Sequence, residues 1–286
     1  MHKWTYIAAG SIVVSAATAL LIGRAFEIKR VEDAERELIQ RLTQPVADSI
    51  DFADLGELPA PVERYFRHVL ADGQAWIKTA RFSQKGSLRT RIEAENWSPF
   101  TATHLAVPLA TGFVWNAKVK TPLATHVRVL DSYTASKGAG RVSLLSVISM
   151  ASEVDTPELN SGALHRYLAE AVWYPTALLP QSGVVWTPVN DLSAIASLTD
   201  SVSTVSLEFR FNEVGEVTGI FTPARFGRFE GHYRQVPWEG HFRDYQTRSG
   251  MRIPLYGEVG WHRNGKLELV WKGKLSDTEY TFSQAS

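Results

Sequence analysis

The 286-residue chain contains no cysteine. That excludes disulfide frameworks, thiolate metal sites, cysteine nucleophiles and a lipid-modified N-terminal cysteine. There is no surplus of charge either, because 30 Lys and Arg stand against 30 Asp and Glu. Proteins that capture nucleic acid carry a basic excess, so nucleic acid is not an expected partner. The GxSxG, P-loop and GxGxxG signatures are missing from the strand–helix junctions, as are metal phrases such as HExxH. The common hydrolase, NTPase, dinucleotide and zinc-protease chemistries therefore have no foothold. No catalytic residue, metal or cofactor is expected.

What the chain does have is aromatic residues, 9 Trp, 9 Tyr and 13 Phe, which suit sheet faces and apolar cavities. It also has one long uncharged run, WTYIAAGSIVVSAATALLIG at 4–23, between Lys3 and Arg24. As a helix this run spans roughly 30 Å, the thickness of a bilayer core. It is longer than the apolar stretch of a cleaved signal peptide, and the nearest small-x-small triplet, Ser15–Ala17, lies inside it. An uncleaved single-pass anchor in the cell inner membrane is the expectation. Arg24, Lys29, Arg30, Arg36 and Arg41 follow the run, and by the positive-inside rule they point the body toward the cytoplasm.

Three regions are expected: an anchor at 1–25, a juxtamembrane helix and linker at 26–56, and a β-rich domain at 57–286. FEIKRVEDAERELIQRLT at 26–43 reads as a solvated extension of the anchor helix. PVERYFRHVL at 61–70 is a helix with Val62, Tyr65, Phe66, Val69 and Leu70 on one face. Period-two alternation predicts strands near 79–92, 99–107, 112–120 and 125–135, while 140–150 is ambiguous. A helix is predicted at 157–173, stopped by Pro175. TVSLEFRF at 204–211 pairs with VTGIFTP through hairpin chemistry at 212–215.

A five-residue phrase occurs twice, EGHYR at 230–234 and EGHFR at 239–243. Read as a hairpin turning at 235–238, it sets Glu230 against Arg243, His232 against His241 and Arg234 against Glu239. The histidines then lie on a solvated sheet face rather than in a metal or acid–base site. In the next hairpin, a three-residue Arg263–Gly265 loop keeps the faces unmixed, pairing Trp261 with Leu267 and Val259 with Leu269. Glu170 lies one turn after Arg166 and one turn before Trp173 and Tyr174. An Arg166–Glu170 surface pair with an aromatic stopper is the ordinary reading, preferred to a carboxylate of raised pKa beside an aromatic wall.

Several phrases taken together, LPAPVERYFRHVL, WSPFTA, GFVWNAKV, TPELNSGALHRYLAEAVWYPTALLP, TVSLEFRF and PWEGHFRDY, resemble an uncharacterised bacterial family. It is a domain of unknown function often found behind an N-terminal membrane segment, and the resemblance covers roughly residues 57–282. FRDYQTRSGMRIPLYGEV also looks like the LolA-like half-barrels of lipoprotein localisation. That likeness implies a curved antiparallel sheet with helices plugging an apolar concavity that accepts acyl chains, and a body on the periplasmic side. The expected fold is thus α+β, a mostly antiparallel curved β-sheet with a few covering helices. The expected function is binding of a lipid or other hydrophobic ligand by Trp115, Trp173, Tyr174, Phe209, Phe211, Trp261 and Trp271. The rival functions are a hydrolase using Glu170 or the His232/His241 face, and a structural or assembly factor of the envelope.

Overall fold

The computed structural model describes residues 2–44, 49–89, 95–121, 125–146 and 148–283; in the first helix, side chains are described at Thr18 and from Leu21 onward. Among these residues, thirteen strands form one antiparallel sheet. Six come from the first half of the chain: β1 (Ile77–Leu88), β2 (Ser98–Val107), β3 (Gly112–Lys120), β4 (His126–Thr134), β5 (Lys137–Leu144) and β6 (Ile148–Val154). Seven follow: β7 (Val184–Asn190), β8 (Ser193–Asp200), β9 (Ser203–Phe211), β10 (Val217–Phe229), β11 (His232–Arg248), β12 (Met251–Arg263) and β13 (Lys266–Phe282).

Each half is a meander, and the two join where β1 pairs with β13 in the middle of the sheet. The edges are therefore β6 and β7, consecutive in sequence and at opposite ends of the sheet. The chain gets from one to the other through helix α3 (Pro157–Glu170) and short 3-10 turns at Ala171–Trp173, Pro175–Leu178 and Pro180–Ser182. This crossover runs over the concave face, touching β4 and β5 on one side and β9 and β10 on the other. The result is a curved, unclosed sheet with helices against its hollow side, an α+β half-barrel.

Local chemistry accounts for the elements. In β9, Val205, Leu207, Phe209 and Phe211 are buried while Thr204 and Ser206 are exposed, the alternation a half-buried strand requires. The Thr156 side chain caps α3 by accepting from the Leu159 amide at 3.3 Å, and Pro157 follows in the first turn. Helix α2 (Ala60–Val69) buries Val62, Tyr65, Phe66 and Val69. The ambiguous stretch at 140–150 belongs to β5 and β6 and the turn between them.

Helix α1 runs from His2 to Gln40. No helix is long and apolar enough, among the described residues, to cross a membrane, and most side chains of the uncharged 4–23 run lie outside them. The part after residue 26 is not simply solvated, as its charge density suggested. Leu38 is buried against Leu105, Val107 and Val114 on the outer face of the sheet. Glu35 accepts two hydrogen bonds from Arg81, at 2.9 and 2.8 Å, and Glu27 is buried beside Arg30 and Arg141.

Two hairpins differ from the sequence reading. The doubled phrase is not a hairpin turning at 235–238: β11 is continuous through it, and the turn is Glu230–Gly231, both at positive φ. His232 sits at the hairpin tip, while His241 is in mid-strand opposite Gly219 and Glu258. Glu230 pairs with Arg234, and Arg243 with Glu258. Pro237 lies in the middle of this strand, opposite Pro223 and Ala224 at a bulge in β10. A bulge leaves ladder positions unpaired, so the missing proline donors disrupt nothing there.

The β12–β13 loop is likewise the two-residue Asn264–Gly265 turn, both residues at positive φ, with Trp261 opposite Glu268. Face mixing is avoided by a second bulge. The register shifts between Val259 and Gly260, leaving Val270 as the extra residue, so Val259 faces Trp271 and Glu258 faces Lys272. Gly260 is required at this step because a Cβ there would collide with the Glu268 carbonyl. Gly260→Ala is expected to lower unfolding free energy by about 1–3 kcal/mol, an overpacking cost measurable by urea denaturation; an unchanged midpoint counts against the bulge.

Candidate functional site

Where α3 crosses the sheet, its packing leaves a cavity of about 390 Å³. Its walls come from both meanders. Leu88, Trp115, Val119, Val127, Val129 and Val142 belong to the first half; Trp238, Phe242, Val259, Trp261, Val270 and Trp271 belong to the second. Ala169 and Trp173 close it from the crossover. Trp173 is the central fixture, with ring contacts to Phe82 at 6.1 Å, His104 at 6.2 Å, Phe242 at 6.3 Å and Trp271 at 6.4 Å. Those partners sit on β1, β2, β11 and β13, so one indole keys the two halves together.

Among the seven residues expected to bind ligand, Trp115, Trp173, Trp261 and Trp271 line this cavity. Tyr174, Phe209 and Phe211 lie elsewhere in the core. The Tyr174 hydroxyl donates to the Tyr167 carbonyl at 2.8 Å, Phe209 packs on Trp186, and Phe211 packs on Tyr65. Sequence reading placed Phe209 and Phe211 by strand phase and Tyr174 by its place after the 157–173 helix, and neither signal tells cavity wall from solid core.

The polar end of the cavity holds Asp131, Arg166, Glu170 and Arg225, and two further charged residues, Arg89 and Glu258, also line it. Arg166 Nε donates to Glu170 Oε1 at 2.8 Å and Nη1 to Asp131 Oδ2 at 3.0 Å. Its guanidinium also lies over the rings of Trp115 and Phe113, at 4.8 and 4.9 Å. The Arg166–Glu170 pair is therefore present, but as a largely buried pair rather than a surface one. Burial pushes the carboxyls of Glu170 and Asp131 above the usual range, with Arg166 opposing. Burial and the nearby Arg166 lower Arg225 to about 10.

Asp131 and Arg225 did not stand out in the sequence. Asp131 had a readable signal, being in phase with the inward Val127, Val129 and Tyr133 of β4. Arg225 had none, because the β10 bulge just before it resets the phase. The doubled-phrase histidines lie outside the cavity wall. His241 bonds Glu239 at 3.0 Å, and His262 bonds the same carboxylate at 2.8 Å. No group of three metal-binding side chains converges among the described residues.

His104 is fully buried behind the cavity, edge-on to Phe82 and Phe113, and 3.6 Å from Glu170 Oε2. Among the described residues neither of its ring nitrogens has a hydrogen-bond partner. Burial, with Arg166 nearby, pushes its pKa well below the ordinary value, so the ring is neutral.

A family of unknown function (DUF6544) matches residues 48–273, and the chain belongs to that family. Among solved structures, the chain is similar to a LolA superfamily protein from Nitrosomonas europaea, with 8% identity, 81% of this chain and 94% of that one covered, and a TM-score of 0.39. It is also similar to a beta-barrel-like protein of a second domain of unknown function, DUF1849, from Brucella abortus. That match has 9% identity, covers 72% of this chain and 99% of that one, and has a TM-score of 0.23. No curated protein matches.

His104 and His165, the latter lowered to about 4 by burial and Arg225, both have folded-state values below the unfolded value near 6.5. Protonation then favours the unfolded chain, so each contributes stability that is lost as pH falls below 6.5 toward its folded value. Asp131 and Glu170, raised by burial, act in the opposite sense. His104→Phe removes one histidine contribution. Between pH 7 and 5.5 the wild type is expected to lose about 1 kcal/mol more stability than the variant, measured by urea denaturation. Parallel pH profiles count against a neutral buried His104.

Proposed function

We propose that this member of the family is a membrane-tethered binding protein that holds a lipid or other hydrophobic small molecule between α3 and the sheet. The observation that carries the reading is the cavity of about 390 Å³ with valine, leucine and tryptophan walls. Its size falls in the range of small-molecule sites, roughly 300–1,000 Å³, which are mostly apolar with a few placed polar groups. Protein interiors are otherwise close-packed, and a wall without partner atoms forfeits dispersion contacts that an apolar occupant restores. No catalytic step is assigned, because Asp131 and Glu170 are engaged by Arg166, Glu258 by Arg243 and Tyr256, and the nearby imidazole is enclosed by aromatic rings.

The tether rests on the uncharged 4–23 run, with the chain single-pass in the cell inner membrane and its body on the periplasmic side. The basic residues after the run favour the opposite orientation, but long domains often translocate regardless of flanking charge. Alkaline phosphatase fused to the C-terminus is expected to be active. An inactive fusion, with a cytoplasmic reporter active at the same position, reverses the orientation.

Purified full-length protein is expected to yield a lipid or other apolar compound on organic extraction and mass spectrometry, and to bind a fluorescent fatty acid. Val129→Trp, which fills the cavity from β4, is expected to weaken that binding by roughly tenfold or more. Protein that carries no extractable compound and leaves the fluorescent fatty acid in solution sinks the reading.

A further inference from the structure

The two guanidinium groups at the polar end of the cavity are not equivalent. Arg166 engages both carboxylates, Glu170 and Asp131. Among the described residues, Arg225 has no carboxylate within ion-pair distance. Its protein hydrogen bond runs from Nη2 to the Gly162 carbonyl of α3 at 2.9 Å, and Nε has no partner. That bond uses one of the two Nη2 protons, so one two-pronged edge of the guanidinium stays open. The group is held in place by tryptophan rings, 4.5 Å from the centroid of Trp238 and 5.1 Å from that of Trp261. Rings can offset part of the cost of burying a cation, but a buried charge without a counter-ion remains expensive.

Arg225 also stands at a boundary. Together with Asp131, Arg166 and Trp261 it lines both the apolar cavity and a smaller neighbour of about 240 Å³. A ligand whose apolar part lies among the valines and tryptophans thus has its far end at this guanidinium. We propose that the ligand is a carboxylate-headed amphiphile of the fatty-acid class, with Arg225 as the head-group receptor. The inference rests on the hydrophobic-binding reading above and names its ligand class. One open fork matches one planar carboxylate in a bidentate pair. A dianionic phosphate head calls for a second cation; Arg166 is already committed, and Arg89, the remaining arginine of the lining, lies over the Trp97 ring.

The test uses the full-length protein and tryptophan quenching by 9,10-dibromostearate, compared with its methyl ester, at pH 7.5. The wild type is expected to bind the acid roughly tenfold or more tightly than the ester, the worth of a charge-assisted pair. Arg225→Gln is expected to bring the ratio close to one, and Arg225→Lys to keep part of the preference. Equal binding of acid and ester by the wild type overturns the carboxylate assignment and leaves the hydrophobic-binding reading standing. So does an Arg225→Gln protein of native near-UV circular dichroism that keeps the full preference. Octadecyl phosphate displacing the probe more tightly than stearate also overturns the carboxylate head. Quenching by neither compound removes both readings. Where Arg225→Gln does not fold, the wild-type ratio of acid to ester decides alone.

Discussion

The structure depends on a connection. The two edges of the sheet, β6 and β7, are neighbours in sequence and as far apart as the sheet allows, so residues 155–183 must cross it. An apolar segment such as Leu164, Leu168 and Val172 cannot make that journey through water at acceptable cost, and all three are buried against the hollow face. Curvature and crossover are thus one feature. The sheet bends around a plug that the chain topology obliges it to have, and Trp173 sits where the plug meets strands from both halves.

A crossover that carries charged residues into the hollow must also neutralise them. Arg166 does so with Asp131 from β4 and Glu170 one helical turn on, and spreads its face over Trp115 and Phe113. Replacing such a group with an apolar one of similar volume is often neutral or stabilising elsewhere, so its presence is weak evidence for stability. It is better evidence for a site. The helix, two strand systems and four charged side chains meet at one end of a mostly apolar space, which is where an amphiphile needs polar contacts.

Much of the fold was legible along the chain. Period-two alternation located β3 at 112–120 and β9 from 204 to 211, one residue short of its observed start, and a proline with one apolar face located α2. Errors cluster at the β10–β11 and β12–β13 pairings, each of which has a bulge that adds a residue to one strand. A bulge reverses which face the following residues occupy, and single-strand periodicity carries no record of it when both neighbours are apolar or proline. The same physics explains the site. Trp115, Trp173, Trp261 and Trp271 were recognised as inward aromatics, while Arg225 was hidden behind a phase reset. Phe209 and Phe211 were grouped with them because inward-facing is all that phase can say, and Tyr174 because it ends the crossover helix beside Trp173.

By itself the sequence determined many of the elements: β1 to β4 and β9 as strands, where α2 and α3 begin, and which of their faces are apolar. These follow from interactions within a few residues, namely alternation, capping and fixed proline geometry. Only the tertiary structure decided that β1 pairs with β13, that the doubled phrase is a hairpin tip and a mid-strand segment, and that one guanidinium takes both acids while another takes neither. Those outcomes depend on contacts between residues tens to hundreds of positions apart. Register shifts of a single residue decide them, and no local pattern encodes such a shift.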